Sequence, residues 1–184
     1  MSLPVSLYYA SHDGHTRRIA ARFAERLREA GCDAAATDLA ERQPDAAEIA
    51  AAGVVAIVAA IRYGRHLPPA RRMVAAHRDL LAGKPLAVIS INLTARKPEK
   101  RTLERCVYLR KWMARAKLSP TLAAAVAGML DYPRYSRFDR FMIRLIMTIT
   151  KGPTDPSQTI EFTDWQQVDG LAAEIARLAG ADGA

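Results

Sequence analysis

The chain has 184 residues, of which 50% are hydrophobic and 25% are charged, a composition that excludes gross disorder and is typical of one globular domain. Its formal net charge of +8 and its pI of about 9.9 indicate an anionic partner, a class that includes nucleic acid, phospholipid and acidic small molecules. No apolar run reaches the length of a membrane span, and the first residues lack the basic region and cleavage site of a secretory signal. Cys32 and Cys106 fit neither a disulfide framework nor a metal site, so we expect reduced thiols in the cytosol.

Short apolar runs alternate with longer amphipathic segments, which favours a parallel sheet with helices on both faces. Strands are predicted at residues 5–10, 34–37, 54–60, 86–91 and 121–129, and helices at residues 16–30, 45–51, 69–81, 102–116 and 164–178. The first helix has an apolar stripe of Ile19, Phe23 and Leu27 and ends before Gly31, while the last begins with a capping box at Thr163. We therefore predict a doubly wound α/β fold with a five-stranded parallel sheet in the order 2-1-3-4-5.

The loop after the first predicted strand is small and polar and contains a glycine. It consists of Ser11, His12, Asp13, Gly14, His15 and Thr16. Before a helix, such a loop presents backbone N–H groups to an anion; Gly14 allows a close turn, and the Ser11 and Thr16 hydroxyls can donate hydrogen bonds. It lacks the Gly-x-Gly-x-x-Gly of dinucleotide-binding folds and the Gly-Lys-Ser/Thr of P-loop NTPases, which disfavours hydride transfer from NAD and nucleotide hydrolysis. We interpret it as a phosphate site, and a capped helix start without a ligand is the alternative.

The loops after the third and fourth predicted strands lie at the crevice where sheets of this order bind ligands. The two loops supply Arg62, Tyr63 and Gly64, and Asn92, Leu93, Thr94, Ala95 and Arg96. Tyr63 can stack on a flat ring, and backbone groups near Gly64 and at residues 92–95 can hydrogen-bond the polar edge of that ring. Together the three loops predict a site for a planar, phosphorylated ligand.

A long segment separates the fifth predicted strand from the last helix, beyond the usual length of a connection in an α/β unit. We predict that residues 131–160 form a basic amphipathic insertion within a single domain of residues 1–180, because the segment is too short to hold its own core. Residues 181–184 are predicted to form a flexible tail. Within the insertion, residues 138–150 have helical periodicity, with Arg140, Arg144 and Thr148 on one line and apolar side chains over the remaining arc.

This predicted helix is about 20 Å long, too short to cross a hydrocarbon core of roughly 30 Å but able to lie in a bilayer interface. The arginines would then meet anionic headgroups. The predicted membrane-contacting residues are Phe138, Phe141, Arg144, Leu145 and Ile146. The alternative is that the apolar arc packs in the protein's own core or in a dimer interface. Because the insertion follows the fifth strand and the phosphate loop follows the first, we also expect removal of residues 132–150 to leave the cofactor site intact.

Several segments together resemble one family. They are residues 11–16, the Ile-Arg-Tyr-Gly of residues 61–64, the Asn-Leu-Thr-Ala-Arg-Lys-Pro-Glu-Lys-Arg-Thr run of residues 92–102, the Tyr-Pro-Arg-Tyr of residues 132–135, residues 139–147 and the Phe-Thr-Asp-Trp of residues 162–165. Over nearly the whole chain, the sequence resembles the flavodoxin-like, menaquinone-dependent protoporphyrinogen dehydrogenases of bacterial haem synthesis. The 92–102 run and the Tyr-Pro-Arg-Tyr segment are the most specific parts, since many flavodoxin relatives share the phosphate loop.

The resemblance implies FMN as the cofactor, held by residues 11–16, 62–64 and 92–96. It implies oxidation of protoporphyrinogen IX to protoporphyrin IX in three two-electron steps, with electrons passed to menaquinone or ubiquinone. No catalytic side chain is assigned, because flavin N5 carries the chemistry, and no metal is expected. Arginine suits the propionates of the macrocycle, and the candidates are Arg134, Arg137 and Arg140. The implied location is peripheral, at the anionic cytoplasmic face of the bacterial inner membrane.

Other interpretations stay open. A flavodoxin-type electron carrier or another FMN-dependent quinone reductase would share the cofactor site, although such carriers are usually acidic and this chain is basic. No nucleic-acid partner is predicted, because the sequence has no recognised RNA-binding or DNA-binding motif. Asp13 departs from the wider flavodoxin pattern, since a carboxylate repels a phosphate; we expect it to cap backbone N–H groups or to be offset by His12 and His15. The sequence is compatible with a homo-oligomer and leaves open the quinone and the use of coproporphyrinogen.

Overall fold

The structure is a computed structural model that describes residues 3–149 and 152–181. Its strands are β1 (Val5–Ala10), β2 (Ala34–Asp38), β3 (Val54–Arg62), β4 (Arg65–His66), β5 (Leu86–Ile91), β6 (Leu122–Val126), β7 (Met129–Asp131) and β8 (Thr159–Glu161). Its helices are α1 (His15–Glu29), α2 (Ala46–Ala51), α3 (Pro68–Ala76), α4 (Arg78–Ala82), α5 (Val107–Ala116), α6 (Arg137–Ile149) and α7 (Trp165–Leu178). Short 3-10 turns cover Leu93–Arg96, Pro98–Lys100 and Tyr132–Arg134.

The central sheet is parallel and has the order β2-β1-β3-β5-β6. Counted along these five strands, the order is the predicted 2-1-3-4-5, so the doubly wound α/β fold is confirmed. β4 pairs antiparallel with the end of β3. Successive residues of β3 point alternately into a layer with α1 and α7 and into a layer with α2, α3, α4 and α5, so both faces of the sheet are buried.

Three predicted boundaries are wrong. β6 ends at Val126, and the chain then leaves the sheet to form β7, which pairs antiparallel with β8 in a separate two-stranded sheet. Residues 122–129 of the predicted strand contain no polar side chain, so the sequence pattern does not reveal the break. α5 begins at Val107 rather than at residue 102, because Thr102 forms a bridge with β6. The predicted helix at residues 69–81 is broken at His77, whose side chain meets the Pro44 carbonyl at 3.0 Å.

The insertion shares a small buried cluster with residues outside it. Leu130, Tyr132 and Met147 are fully buried, and partly buried neighbours pack against them: Leu93, Tyr135, Ile143 and Phe162. The Tyr132 hydroxyl donates to the Pro153 carbonyl at 2.9 Å. This cluster attaches the insertion to the loop that follows β5.

The end of the insertion is held by a close contact at Gly152. A Cβ atom there would lie 2.4 Å from the Met147 sulfur and 3.0 Å from an Arg96 nitrogen, so any larger residue would force these side chains to move. Thr150, the predicted end of the helix, and residues 182–184 of the predicted tail lie outside the described residues, whereas Ala181 is buried. Among the helices of residues 3–149 and 152–181, none has the length and hydropathy needed to cross a membrane.

Candidate functional site

A cavity of about 210 Å³ lies at the carboxyl ends of β1, β3 and β5, where the three predicted loops meet. One wall includes His12, Asp13, His15, Thr16, Arg62, Tyr63, Gly64, Asn92, Leu93 and Thr94. The opposite wall comes from β7 and the insertion and includes Met129, Asp131, Arg134, Tyr135, Asp139, Met142, Ile143 and Ile146. Residues of the insertion therefore line this crevice, and the expectation that removal of residues 132–150 leaves the cofactor site intact stays a prediction. The volume is below the roughly 300–1,000 Å³ of typical ligand pockets, so a large ligand would extend beyond it.

The first turn of α1 offers backbone N–H groups to a ligand. Gly14 precedes the helix in a left-handed conformation (φ 84°), and no side chain caps the turn. By contrast, Asp45 caps α2 and Asp164 caps α7 by accepting backbone hydrogen bonds. Ser11 accepts the Gly14 N–H at 3.2 Å and so shapes the loop. An uncapped helix start at the carboxyl edge of a parallel sheet fits an anion.

The Asp13 carboxylate does not cap α1. It lies 2.6 Å from Nδ1 of His12, while the other ring nitrogen of His12 contacts the Arg62 guanidinium. Of the arrangements expected for Asp13, capping is not observed, and of the two histidines only His12 contacts the carboxylate. The ring of His15 points elsewhere and does not take part.

His15 presents a buried acceptor atom that the sequence did not reveal. Its Nε2 lies 2.7 Å from the Thr163 hydroxyl, which itself donates to the Ala127 carbonyl at 2.8 Å. Because that hydroxyl hydrogen is committed, Nε2 must carry the proton and Nδ1 must be bare. This Nδ1 is buried without a hydrogen-bond partner among the described residues. Burial also lowers the pKa of His15, which keeps the ring neutral. Thr163 was expected to cap α7, and Asp164 takes that role instead.

The loop between β3 and β4 is a two-residue hairpin turn. Tyr63 (φ 50°) and Gly64 (φ 75°) both have left-handed backbones, as in the turns that match the twist of a hairpin. Tyr63 is 56% exposed, and its ring meets Phe138 of α6 edge-on, with centroids 6.2 Å apart. The predicted stacking residue therefore stands at the mouth of the cavity.

The side chain of Asn92 stabilises the loop after β5 by hydrogen bonds inside the loop. Its side-chain oxygen accepts the N–H groups of Thr94 and Ala95, both at 3.1 Å, and its nitrogen donates to Ser90 at 3.1 Å. Ser90 in turn contacts His66 at 2.9 Å, and burial lowers the pKa of His66 to about 3. His66 stacks on Trp112, with centroids 4.1 Å apart. This neutral histidine holds the loop and has no polar role at the cavity.

Asp139 joins the insertion to the hairpin. Its carboxylate accepts Nη2 of Arg62 at 2.8 and 3.0 Å, the Tyr63 hydroxyl, and the Ser136 hydroxyl at 2.6 Å. Its own N–H donates to the Ser136 oxygen at 3.1 Å, so Ser136 caps the start of α6. Hydrogen bonds from Ser136, Tyr63 and Arg62 lower the pKa of Asp139 to about 2.

The remaining predicted residues divide between the cavity and its surroundings. Arg134 borders the cavity, and its Nε lies 3.9 Å from Asp131. Arg137 is exposed outside the lining, and Arg140 is half-buried with its Nε atom enclosed. Arg96 donates to the Leu93 carbonyl at 2.9 Å and lies against Gly152. Ser11, Gly14 and Ala95 also lie outside the cavity lining.

The arc of α6 that was predicted to be apolar is divided between two environments. Met142 and Ile143 face the cavity, and Met147 is buried, so the core-packing interpretation holds for that side. The other side is exposed and consists of Phe138, Phe141, Leu145 and Ile149, which we call the apolar strip. Ile146 lies between the two sides, and Arg144 is exposed.

Comparison with known proteins gives a consistent result. A family model described as a flavodoxin domain matches residues 6–157. The chain is 40% identical over 172 residues to the protoporphyrinogen IX dehydrogenase [quinone] of Escherichia coli strain K12, covering 94% of both chains. It is 37% identical over 175 residues to the protein of the same name from Leishmania major, covering 94% of this chain and 74% of that one. Oxidised flavodoxin 1 from Bacillus cereus has the same fold, with a TM-score of 0.57, 16% identity and coverage of 95% and 97%.

Proposed function

This chain belongs to the flavodoxin domain family and, within it, to the family of the protoporphyrinogen IX dehydrogenases [quinone], and from that premise we propose its reaction. It oxidises protoporphyrinogen IX to protoporphyrin IX in three two-electron steps and passes the electrons to menaquinone or ubiquinone. The observation that carries this proposal is a cavity with a flavodoxin loop wall on one side and an apolar insertion wall on the other.

Membership of the flavodoxin family implies FMN, and the residues present fit it. The uncapped first turn of α1 offers N–H groups to the phosphate. The bare Nδ1 of His15 can accept a hydroxyl of the ribityl chain. Tyr63 at the mouth and the backbone of residues 92–94 are suited to the ring and its polar edge. When bound, FMN supplies the two-electron chemistry, accepting hydride from the reduced macrocycle and passing electrons to the quinone.

The side chains of this protein bind and orient the reactants and exclude water. Met142, Ile143 and Ile146 make the insertion wall of the cavity apolar, which favours a large flat macrocycle over a small polar donor. Arg134 is the leading partner for a propionate, because it borders the cavity and its side chain is 67% exposed. Arg137 is the second candidate. Arg140 is the weakest of the three, because its guanidinium is partly enclosed.

We further propose that α6 contacts an anionic membrane, where a lipid-soluble quinone resides. The apolar strip leaves Phe138 63%, Phe141 64% and Ile149 73% exposed. Exposed Arg137 and Arg144 lie on the same helix, and the chain carries a net charge of +8. Apolar side chains flanked by cations match the chemistry of an anionic lipid surface. This supports a peripheral location at the cytoplasmic face of the inner membrane.

A flavodoxin-type carrier and another FMN-dependent quinone reductase are the rivals. A carrier needs only an accessible flavin edge, and a cavity walled by an apolar insertion gives it no advantage. The Escherichia coli relative, which aligns over 94% of both chains, is also named as a dehydrogenase. These two observations favour the dehydrogenase.

The test is an anaerobic assay with FMN-loaded protein, protoporphyrinogen IX and a soluble quinone, which follows porphyrin fluorescence. We expect fluorescence to rise only when protein, FMN and quinone are all present. A carrier would accept electrons from a reductase without producing porphyrin, and another quinone reductase would use a different donor. Absence of quinone-dependent porphyrin formation by FMN-loaded protein would refute the proposal.

A further inference from the structure

Asp139 is nine-tenths buried, and its carboxylate meets three partners from two distant parts of the chain. Ser136 belongs to the insertion, whereas Arg62 and Tyr63 belong to the hairpin at the end of β3. No other carboxylate among the described residues that line the cavity has bonds across it of this kind, since Asp13 pairs with the adjacent His12 and Asp131 with Thr159 and Arg134. Asp139 thus connects the two walls of the cavity through hydrogen bonds.

The contacts of Asp139 separate into two roles. Ser136 caps α6 by accepting the Asp139 N–H and donates its hydroxyl to the Asp139 carboxylate, and this local pair needs nothing from the hairpin. The bonds to Arg62 and Tyr63 contribute nothing to a helix cap, yet they bring a guanidinium and a phenol of the flavodoxin loop against the insertion. A role beyond capping would explain why a charged group is buried here.

We propose that Asp139 is a positioning residue that acts through Tyr63 and Arg62, fixing the phenol at the cavity mouth and neutralising the charge of the guanidinium in the cavity wall. The inference rests on the proposed function, because the ligand concerned is the FMN of that site. It assigns the insertion a part in setting the properties of the flavin as well as in admitting the macrocycle.

Removal of the Asp139 carboxylate should have a separate consequence through each of its two partners in the hairpin. Tyr63 stands at a hairpin tip in a left-handed conformation. Without the carboxylate its exposed ring keeps the edge contact with Phe138 and the contact with the Arg62 guanidinium, which itself loses its Asp139 partner, so the ring is less ordered. Loss of that order should weaken the binding of a ring that stacks there. Arg62 without Asp139 leaves a net positive charge in the wall, which stabilises the anionic reduced flavin. The reduction potential should then become more positive.

The experiment compares five variants without porphyrinogen or quinone: Asp139→Asn, Tyr63→Phe, these two combined, Ser136→Ala, and Asp139→Asn with Arg62→Gln. FMN is titrated into apoprotein by fluorescence quenching, the midpoint potential is measured by equilibration with redox dyes, and the melting temperature is recorded. Asp139→Asn and Tyr63→Phe should each raise the FMN Kd about three- to tenfold, and combining them should add little. Asp139→Asn should raise the potential, and the added Arg62→Gln should reverse that rise. Ser136→Ala should lower only the melting temperature.

Changes in Kd and potential in Ser136→Ala as large as those in Asp139→Asn would show that loss of the α6 cap alone disturbs the site, and would overturn the proposal. An unchanged Kd in Tyr63→Phe together with an unchanged potential in Asp139→Asn would equally overturn the proposal. If Asp139→Asn fails to fold, the Kd of Tyr63→Phe decides between the two roles. These readouts do not depend on porphyrinogen oxidation, so failure of the proposed function in its own assay is distinguishable from failure here.

Discussion

Replacing two residues of the apolar strip tests the membrane proposal. Phe141 and Leu145 are 64% and 46% exposed, and complete burial of such side chains is worth about 1.5–3 kcal/mol each. Scaled by these fractions, lipid contact through the pair contributes about 2–3 kcal/mol. Phe141→Ser with Leu145→Ser should therefore lower vesicle partitioning about 30- to 100-fold. Sedimentation with liposomes measures this directly, and the loss should be the same at every salt concentration, because burial of apolar area is not screened.

A second pair isolates the electrostatic part. Arg137→Glu with Arg144→Glu should weaken sedimentation with anionic vesicles at low salt, with an effect of about 1 kcal/mol or more per residue that fades as salt rises. Arg137 is a better target than Arg140, whose guanidinium is partly enclosed. Lys111→Glu with Arg115→Glu on exposed positions of α5 is the matched control for net charge and should have less effect.

The reasoning fails if neither pair changes sedimentation. The apolar strip would then serve another contact, for which a second copy of the chain is the first candidate. Sedimentation velocity of the wild type and the serine pair would identify it, since the serine pair would dissociate a dimer built on the strip. An effect of the α5 control equal to that of the α6 pair would refute a specific role for α6.

Three further predictions concern the interior and the phosphate loop. Gly152→Ala should lower the unfolding free energy by about 1–3 kcal/mol, because its Cβ would strike the Met147 sulfur. The control Gly170→Ala, which has open space around it in α7, should raise the unfolding free energy by about 0.5–1 kcal/mol. Urea titrations that give the opposite order would contradict the packing at Gly152. His66 is neutral in the fold, with a pKa of about 3 against 6.5 when unfolded, so stability is full above pH 6.5 and falls as the pH drops, by about 2 kcal/mol at pH 5. His66→Gln should flatten that dependence between pH 7 and 5, and an unchanged slope would show that another group causes it. Thr16→Val should raise the FMN Kd about 10- to 100-fold in a quenching titration, and an unchanged Kd would remove its hydroxyl from the phosphate site.

The central sheet was predictable because its strands are buried on both faces and its helices carry clear apolar stripes. The positions of the three loops then followed from the strand order, since the carboxyl ends of parallel strands meet at one edge. The break that gives β7 and the pairing of β7 with β8 were not predictable, because each strand has three residues and the pairing spans the whole insertion. Three residues are too few to display a period.

The polar contacts of the site depend on residues far apart in sequence. Ser136 and Asp139 have the spacing of a capping box, which the sequence displays. Nothing local to them indicates that the same carboxylate meets Arg62 and Tyr63, which are more than seventy residues away. His15 is similar, because its tautomer follows from Thr163, at the far end of the chain. Apolar periodicity also could not tell which side of α6 faces inward, since Met142 and Phe141 are equally suited to a core and to a lipid surface.

The uncapped first turn of α1 links the lifetime of the folded chain to its ligand supply. A phosphate that satisfies those N–H groups binds the native state and not the unfolded one, so it adds stability in proportion to the logarithm of its concentration, about 2.7 kcal/mol at a hundredfold excess over Kd. Chains that are synthesised when the ligand is scarce then unfold more often, so proteases degrade them sooner. The amount of protein that persists in a cell therefore follows cofactor availability without any dedicated regulatory element.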